Sequence, residues 1–322
     1  MDNLINLAKN KVLNGEKIDK IEALKIVNSI NLDNLLNAAN EIREAFCGDE
    51  FNLCTIINVK SGKCSQDCKF CAQSAHYKTG CEVYPFKDIS EILETAKYNE
   101  KQEAHRFSLV ASGKDLNSHK KDIDKIREIY ENLQDKTSLH LCASFGMADK
   151  KDLLKLKESG VRTYHHNLES SRRFYPKICT THTYDDRINT IKAAFEAGLD
   201  VCSGGIFGLG ESIEDRIDMA IELRELGVSS VPINILTPIK GTPFQNNPLL
   251  DNEEILRSIA IYRFILPNVF LRFAGGRKNL GKSVKKALKS GINAALTGDF
   301  LTTTGDSIES DKSMIKDCGF HI

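Results

Sequence analysis

The amino-acid sequence predicts an α/β fold, a (β/α)8 barrel of the TIM type with an N-terminal helical extension. From Phe51 onward, short β-branched runs alternate with amphipathic segments, which is the pattern of a parallel sheet with crossover helices. The alternation yields eight strand–helix units, and a chain of 322 residues is long enough for one such barrel. Glycines also follow several helical segments, as at Gly160 and Gly198, where a left-handed helix cap is expected.

Residues 1–50 are predicted to form the helical extension. Leu4, Leu7, Ala8 and Val12 recur at helical spacing among polar residues, and a similar pattern follows them. We assign no chemistry to this segment. Residues 51–322 are predicted to form the barrel as a single domain.

The barrel elements can be placed in order. The predicted strands are Cys54–Val59, Arg106–Ala111, Ser138–Ala143, Val161–His166, Asp200–Phe207, Ser230–Leu236, Val269–Phe273 and Ile292–Leu296. The predicted helices are Ile89–Gln102, His119–Leu133, Lys150–Ser159, Asp185–Ala197, Ile213–Leu226, Asn252–Leu266, Leu280–Ser290 and Ile308–Asp317. The chemistry of such barrels lies in the loops at the C-terminal ends of the strands, so we expect the functional residues there.

The charge composition argues against a nucleic-acid or membrane partner. Lysine plus arginine equals aspartate plus glutamate at 44 each, so no overall field favours nucleic acid or an anionic membrane, and a small, weakly charged substrate is expected. No apolar stretch is long enough to span a membrane, and the first residues lack the pattern of a secretion signal. We therefore expect a cytoplasmic protein whose ten cysteines are available as thiols for metal binding.

Three cysteines in the segment from Ser61 to Cys71 carry the strongest signal. Cys64, Cys68 and Cys71 are spaced C-x3-C-x2-C directly after the first predicted strand. Iron–sulfur clusters and structural zinc usually take four protein ligands, so three thiolates leave one metal position open for chemistry. The alternatives are a zinc ion completed by a distant residue, or three unrelated loop cysteines.

This spacing, with Phe70 just before the third cysteine, resembles the radical S-adenosylmethionine (SAM) enzymes. The resemblance implies a 4Fe-4S cluster on the three thiolates, whose fourth iron chelates the amino and carboxylate groups of SAM. It also implies reductive cleavage of SAM to methionine and a 5′-deoxyadenosyl radical, with a flavodoxin- or ferredoxin-type electron donor.

Several predicted strands also carry polar or sulfur residues where a packed barrel would favour valine or isoleucine. These residues are Ser108, Cys142, His165, Asn167, Cys202, Asn234 and Arg272. A single buried cysteine is usually inert packing. Arg272 requires a partner because an unpaired buried charge is very costly, and an anionic cluster, a substrate carboxylate or a buried acidic residue could supply it.

A set of motifs between about Phe51 and the C-terminus resembles the biotin synthase family. The motifs are Tyr-Lys-Thr-Gly (77–80), His-Asn-Leu-Glu (166–169), Thr-His-Thr-Tyr (181–184), Val-Cys-Ser-Gly-Gly-Ile-Phe-Gly-Leu-Gly-Glu (201–211), Ser-Val-Pro-Ile-Asn (230–234), Lys-Gly-Thr-Pro (240–243) and Leu-Thr-Thr (301–303). The resemblance implies sulfur insertion between C6 and C9 of dethiobiotin to give biotin, with one 5′-deoxyadenosyl radical used at each carbon. It further implies a homodimer, and substrate-binding strands in residues 230–322.

The same resemblance assigns residues to SAM and to substrate. Phe70 and the segment with Gly204, Gly205, Gly208 and Glu211 would contact SAM, Arg187 would lie near its carboxylate, and Asn167 and Glu169 would bind its ribose. Asn234 would bind the ureido ring of dethiobiotin, Asn167 would lie near the substrate, and Thr302 and Thr303 would receive its carboxylate. Each of these residues could instead make an ordinary cap, turn or core hydrogen bond.

The chain departs from the family pattern at the auxiliary cluster. In the better-known enzymes, three cysteines and one arginine hold a 2Fe-2S cluster that donates the sulfur, and Cys142, Cys202 and Arg272 match three of these ligands. The fourth position is Ser108, and a hydroxyl is a poor iron ligand beside a thiolate.

We hypothesise that Cys179 completes a different auxiliary cluster with Cys142 and Cys202, of four irons and carrying an extra sulfide. His165 also stands where the family usually has asparagine. Alternatively, Cys179 is packing and Ser108 is tolerated in a weakened 2Fe-2S site. Other cysteines are interpreted as packing or surface thiols or are left unassigned: Cys47, Cys54, Cys81 and Cys318.

Two other functions remain open from the sequence. The first is another radical SAM barrel, such as the hydrogenase maturase related to biotin synthase, which the serine at position 108 would favour. The second is a non-catalytic iron–sulfur carrier, which would not cleave SAM.

Overall fold

Residues 2–298 and 307–322 are described by the structure, a computed structural model. In these residues the strands are β1 (Asn52–Lys60), β2 (Arg106–Ala111), β3 (His140–Ser144), β4 (Thr163–His165), β5 (Asp200–Cys202), β6 (Gly205–Phe207), β7 (Ser230–Ile235), β8 (Phe270–Phe273) and β9 (Ala294–Leu296). All neighbouring strands are parallel, in the order β5-β4-β3-β2-β1-β9-β8-β7-β6. A pairing of Cys202 with Ser230 joins β5 to β7 and closes the barrel. The predicted (β/α)8 fold is confirmed.

The helices are α1 (Asp2–Leu13), α2 (Lys20–Val27), α3 (Leu32–Cys47), α4 (Ile89–Lys101), α5 (Ile123–Lys136), α6 (Lys150–Glu158), α7 (Tyr184–Glu196), α8 (Ile213–Leu226), α9 (Asn252–Ile265), α10 (Val284–Leu288) and α11 (Ile308–Asp317). Short 3-10 turns cover Leu116–Asp122, Tyr175–Lys177 and Arg277–Ser283. In the described part of the chain, no helix is long and apolar enough to cross a membrane.

Local sequence explains where several helices begin and end. Thr183 and Ser212 cap α7 and α8, and each accepts a hydrogen bond from an amide three residues later while that residue's carboxylate accepts one in return. This reciprocal capping box satisfies amides that the first helical turn leaves unpaired. Gly227 ends α8 with φ +77°, a left-handed conformation that glycine adopts without strain.

The fifth predicted strand is two short strands rather than one. Ser203 and Gly204 interrupt it, and a Cβ at Gly204 would lie 2.0 Å from the carbonyl oxygen of Pro232 on β7. Glycine is therefore required here for the close approach of two backbones. The interruption divides the strand without opening the barrel, because β6 continues to pair with β7.

The N-terminal helices pack against the outside of the barrel. The Arg257 guanidinium on α9 donates to the carbonyls of Val27 (2.9 Å) and Ser29 (2.7 Å), and Arg224 on α8 donates to Ile18 (2.8 Å). Apolar side chains of all three helices join the buried core. These helices therefore form an outer layer over α8 and α9.

Strand register decides which side chains reach the barrel interior. Alternate residues of a strand face the same side, so Cys54 and Ile56 on β1 share the interior with Arg106, Ser108 and Val110 on β2. Cys54 is paired with Arg106, and Ile56 is paired with Ser108. The thiol of β1 therefore lies one inward-facing position below Ser108, on the adjacent strand.

Candidate active site at the barrel mouth

A cavity of about 390 Å³ lies inside the barrel, beneath the loop that carries the three closely spaced cysteines. This volume is within the range of small-molecule sites. Phe70 and Cys71 line its upper part. Its strand-borne lining includes Cys54, Ser108, Cys142, His165, Cys202 and Arg272.

The cysteine loop is built by short-range backbone hydrogen bonds. The Cys64 amide donates to Gln73 (3.0 Å), the Cys71 amide donates to Cys68 (3.0 Å), and the Ala75 amide donates to Cys64 (2.7 Å). Gly62 precedes the loop with φ +76°, a conformation that L side chains rarely adopt. The fold thus holds Cys64, Cys68 and Cys71 in one short loop at the barrel mouth.

The thiols of this loop suit an iron–sulfur cluster. Burial raises the pKa of Cys64 and raises the pKa of Cys71 to about 11. A bound cation must therefore supply the charge that stabilises their thiolates. Soft thiolate donors are what iron–sulfur clusters require, and three of them leave an iron available to a further ligand.

Cys179 lies beside this loop and not with Cys142 and Cys202. Its thiol donates to the Asp67 carboxylate (3.1 Å) and lies 3.2 Å from Nδ1 of His182. The ligand atoms of Cys68, Cys179 and His182 all lie within 4.8 Å of one another. Cys179 is not among the described residues that line the cavity.

The hypothesis that Cys179 joins Cys142 and Cys202 therefore needs correction. The loop after β4 folds back onto the cysteine loop, where the Lys69 amide donates to the Ile178 carbonyl at 3.0 Å. Asp67 strengthens this junction by accepting from the amides of Thr180 (2.9 Å) and Thr181 (3.1 Å). These contacts hold the Cys179 thiol at the cysteine loop.

A second group of thiols lies deeper in the barrel. Cys142 on β3 and Cys202 on β5 line the cavity as expected, and Cys54 on β1 joins them. Burial raises the pKa of Cys142. The neighbouring thiols of Cys54 and Cys202 raise it further, whereas Arg106 and Arg272 lower it. The structure thus groups three thiols around two guanidinium cations.

The Arg272 side chain donates hydrogen bonds to oxygen atoms on neighbouring strands. It is 2 % exposed, and its guanidinium donates to the Asn52 carbonyl (3.2 Å), the Asn52 side-chain oxygen (2.7 Å) and the Ala295 carbonyl (3.2 Å). These dipoles orient the group without cancelling its charge. The cation therefore remains available to stabilise anionic ligands in the same cavity.

His165 forms a polar pair with Cys202. Burial opposes a charge on either group, but their mutual hydrogen bond and attraction raise the pKa of His165 and lower the pKa of Cys202 to about 7. The Ser230 hydroxyl lies 3.3 Å from the Cys202 sulfur and also favours the thiolate. The structure therefore places His165 in the predicted auxiliary site.

The residues predicted to bind SAM also come together. Arg187 donates to the Asn167 carbonyl (2.7 Å) and lies 3.8 Å from the Glu169 carboxylate. The Asn167 side chain donates to Glu169 (3.3 Å) and accepts from the Gly204 amide (3.0 Å). Glu169 has φ +69°, which is uncommon for a residue other than glycine. Asn167, Glu169 and Arg187 together offer hydrogen-bond donors and acceptors beside the cavity, which can bind the hydroxyl and carboxylate groups of a ligand.

The glycine-rich segment has a structural explanation at each predicted position. A Cβ at Gly205 would lie 2.6 Å from the Glu169 carbonyl, and Gly208 has φ +96°. Glu211 accepts from the Gly208 amide (2.9 Å) and from the buried Arg216 guanidinium (2.6 Å). The Glu211 side chain thus stabilises the turn, and a contact of this segment with SAM stays a prediction.

The predicted substrate residues are only partly described. Asn234 lines the cavity, where its amide donates to the Gly205 carbonyl (3.2 Å) and its oxygen accepts from the Gly275 amide (2.9 Å). Thr302 and Thr303 lie outside the described residues. A role for these three residues in substrate binding stays a prediction.

Two models of known protein families match this chain. The model of the Radical SAM superfamily matches residues 58–223, and that of the Biotin and Thiamin Synthesis associated domain matches residues 232–321. A (β/α)8 barrel with three loop cysteines after its first strand defines a radical SAM enzyme.

Curated relatives identify the branch of this superfamily. A biotin synthase of Campylobacter hominis is 63% identical, covering 97% of this chain and 96% of the relative. A biotin synthase of Fusobacterium nucleatum is 58% identical, covering 99% of this chain and 90% of the relative. The chain belongs to the biotin synthase family.

Solved structures support the fold alone. A crystal structure of methylornithine synthase has a TM-score of 0.84 at 21% identity, covering 97% of this chain and 96% of that chain. A maturase of the [FeFe]-hydrogenase has a TM-score of 0.84 at 18% identity, covering 99% of this chain and 75% of that chain. The maturase considered from the sequence is therefore a distant structural neighbour.

Proposed function

We propose that this enzyme converts dethiobiotin to biotin by radical SAM sulfur insertion, the last step of biotin synthesis. One observation carries the proposal: a single cavity connects Phe70 and Cys71 of the cysteine loop, which would be the SAM-cluster loop, with the thiols of Cys142 and Cys202. A substrate between the two groups of thiols would have one carbon chain within reach of a radical source and a sulfur source. Membership of the biotin synthase family supports the same reaction.

The chain's residues fit the two cofactors of such a reaction. Cys64, Cys68 and Cys71 would hold a 4Fe-4S cluster with SAM, while Cys142 and Cys202 would hold an auxiliary iron–sulfur cluster. When bound, these groups supply the 5′-deoxyadenosyl radical and the inserted sulfur.

Positioning is the main task of the remaining residues, because a carbon radical attacks most C–H bonds within its reach. Asn167, Glu169 and Arg187 provide the polar wall that would orient SAM. Ile56, Val110 and Ile206 provide apolar walls that exclude water. Fixing two reactants in one orientation can supply much of the rate enhancement of a reaction.

The Asn234 side chain near the end of β7 supports dethiobiotin as the substrate. The Asn234 side chain can exchange its hydrogen bonds with Gly205 and Gly275 for bonds to the ureido group of dethiobiotin. Residues 230–322 would supply substrate-binding strands, and Thr302 and Thr303 would receive the carboxylate. An amide both donates and accepts, which matches a neutral ureido ring.

We extend the proposal to partners and location. A flavodoxin- or ferredoxin-type protein would supply electrons, the enzyme would act as a homodimer, and it would work in the cytoplasm. Equal numbers of acidic and basic residues, 44 each, argue against a nucleic-acid or membrane partner. Sedimentation of the cluster-loaded protein tests the dimer directly.

Anaerobic reconstitution with SAM, a reductant and dethiobiotin tests the function. We expect both 5′-deoxyadenosine and biotin, and neither product from the Cys71→Ala variant. Absence of SAM cleavage by the cluster-loaded protein would contradict a radical SAM enzyme. Formation of 5′-deoxyadenosine without biotin would favour the alternative of another radical SAM barrel.

A further inference from the structure

We propose that Cys54 on β1 is a ligand of the auxiliary cluster, together with Cys142 and Cys202. The inference rests on the proposed function, because it assigns a ligand to the cluster that this function requires. It replaces Cys179 in the ligand set predicted from the sequence. It also explains how the site can lack a cysteine at Ser108.

The position of Cys54 fits this role. Cys54 pairs in register with Arg106, two residues before Ser108 on the adjacent strand β2, and both Cys54 and Ser108 line the cavity. Neighbouring strands lie about 4.8 Å apart and alternate residues along a strand about 7 Å apart. A thiol on β1 can therefore reach a cluster that also contacts β2.

The charges around Cys54 suit an anionic cluster. The guanidinium groups of Arg106 and Arg272 line the same cavity as the thiols of Cys54, Cys142 and Cys202. Arg106 lies over the Phe270 ring at 5.2 Å, and its guanidinium donates to Thr163 at 3.4 Å. Two oriented cations beside three thiols offset the negative charge of sulfide and thiolate ligands.

The Cys54 thiol is not held by a strong hydrogen bond in the part of the chain that the structure describes. Among its described contacts, its hydrogen bond is a long one, 3.7 Å, to the carbonyl of its own neighbour Thr55. A barrel interior built for packing would hold branched aliphatic side chains at this level. Three thiols and two guanidinium groups are instead gathered around open volume, and such a costly polar interior is expected where a ligand binds.

Cys179 is committed to other partners. Its thiol contacts Asp67 and His182, and the surrounding loop is held to the SAM-cluster loop by backbone hydrogen bonds. Cys54, Cys142 and Cys202 are therefore the thiols that the described strands present to the cavity. Arg272 and His165 lie beside this set as candidates for a further ligand.

The first test separates the auxiliary cluster from the SAM cluster. In a full-length background with Cys64→Ala, Cys68→Ala and Cys71→Ala, the remaining iron and sulfide belong to the auxiliary site. Adding Cys54→Ser should remove this iron and sulfide and its Mössbauer signal. The matched control Cys318→Ser, a buried cysteine in another part of the fold, and the rival variant Cys179→Ser should retain them.

Full auxiliary iron and an unchanged Mössbauer spectrum in the Cys54→Ser protein would overturn the proposal. Equal loss of the cluster in Cys318→Ser would also overturn it, because the loss would then be nonspecific. Adding Ser108→Cys to Cys54→Ser should restore iron and sulfide with an altered spectrum. Such a rescue would support the proposal that a thiol on β1 takes the place of a cysteine at position 108 on β2.

A second measurement avoids any dependence on folding of the serine variant. Replacing the Cys54 sulfur with selenium keeps the side-chain shape and gives a ligand of the same charge when bound to iron, and selenium-edge X-ray absorption of the cluster-loaded protein should contain a selenium–iron shell. Selenium with carbon neighbours alone would overturn the proposal. Biotin formation by the wild-type protein tests the function separately, so failure of the function and failure of the ligand assignment are distinguishable.

Discussion

Glu211 and Arg216 form an ion pair that is buried under the glycine-rich segment of the barrel mouth. Their side chains are each 1% exposed and are joined at 2.6 Å, and Glu254 lies 2.7 Å from the same guanidinium. Glu211 also accepts from the Gly208 amide. A residue that family resemblance assigns to cofactor binding is thus explained by the support of a turn.

Replacing Glu211 with alanine should lower the free energy of unfolding by about 3 kcal/mol, because Arg216 is left as a buried, partly compensated cation. Denaturant unfolding of the cluster-free protein measures this change. The matched control is Glu214→Ala on α8, the helix that carries Arg216, because the ion pair of Glu214 with Lys20 is exposed. The control should cost less than about 1 kcal/mol, and equal costs would contradict the explanation.

His119 should make the protein sensitive to acid. Burial and, secondarily, the nearby Lys60 lower its pKa to about 4, while Asp122 and Asp115 oppose the shift. The unfolded chain takes up this proton near pH 6.5, so the free energy of unfolding should fall as the pH drops from 6.5 to 4. The loss attributable to this group is at most about 3 kcal/mol.

Denaturant unfolding across that pH range checks the prediction. His119→Gln removes the titrating group, so its stability should depend less steeply on pH. The control is Asn132→Gln on the surface of α5, which changes no titrating group and should leave the wild-type slope unchanged. An unchanged slope in the His119 variant would assign the acid sensitivity to other groups.

At the scale of elements, the interrupted strand formed by β5 and β6 is the feature that shapes the cavity wall. The close approach of Gly204 to Pro232 leaves no room for a side chain. The interruption also directs the Gly204 amide to Asn167, one of the residues expected at the SAM site. The break between β5 and β6 therefore helps to position Asn167 in the polar wall of the site.

Gly204→Ala should destabilise the barrel by at least about 2 kcal/mol, since the new methyl group meets a backbone carbonyl that cannot move freely. Thermal unfolding measures this effect. Gly227→Ala is the matched control, because a Cβ there meets open space and the cost is limited to its positive φ, about 1 kcal/mol. A smaller loss at Gly204 than at Gly227 would contradict the close-contact explanation.

The sequence predicted most elements because each has a local cause. Helix Ile213–Leu226, for instance, was bounded correctly from its periodicity, its cap and Gly227. The break at Gly204 was missed because it depends on a carbonyl from another strand. The sequence does not single out Cys54, because β1 is buried along much of its length and its apolar pattern does not indicate which side faces the cavity.

Cys179 was misplaced for a related reason. Its position after the fourth strand correctly predicted the active-site end of the barrel. Contact with Asp67 requires the loop to fold back toward the first strand, which no local pattern encodes. The thiol could therefore be assigned to the correct end of the barrel but not to the side chains that it contacts.

At the scale of the whole molecule, the N-terminal helices form a layer that is separate from the cavity. Arg257 connects this layer to α9 through two backbone carbonyls near the end of α2. We expect Arg257→Ala to lower the free energy of unfolding by about 2 kcal/mol, because two charge-assisted hydrogen bonds are lost. Iron and sulfide content should not change.

Thermal unfolding together with iron analysis checks this separation. Arg127→Ala on α5 is the matched control, since Arg127 is partly exposed and its ion pair with Glu131 is loose at 3.9 Å. That variant should stay within about 0.5 kcal/mol of the wild type. Loss of clusters from the Arg257 variant would mean that the outer layer supports the site directly.

One strand carries both ends of the proposed reaction. β1 holds Cys54 near its start, and Cys64 follows only four residues after its last residue, Lys60. If Cys54 and Cys64 bind the two clusters as proposed, β1 and the short loop that follows it set the spacing between the radical source and the sulfur donor. Lengthening or shortening β1 by two residues would change this spacing while keeping every side chain on its original face, so such variants offer a direct way to measure how far sulfur can be from the carbon it attacks.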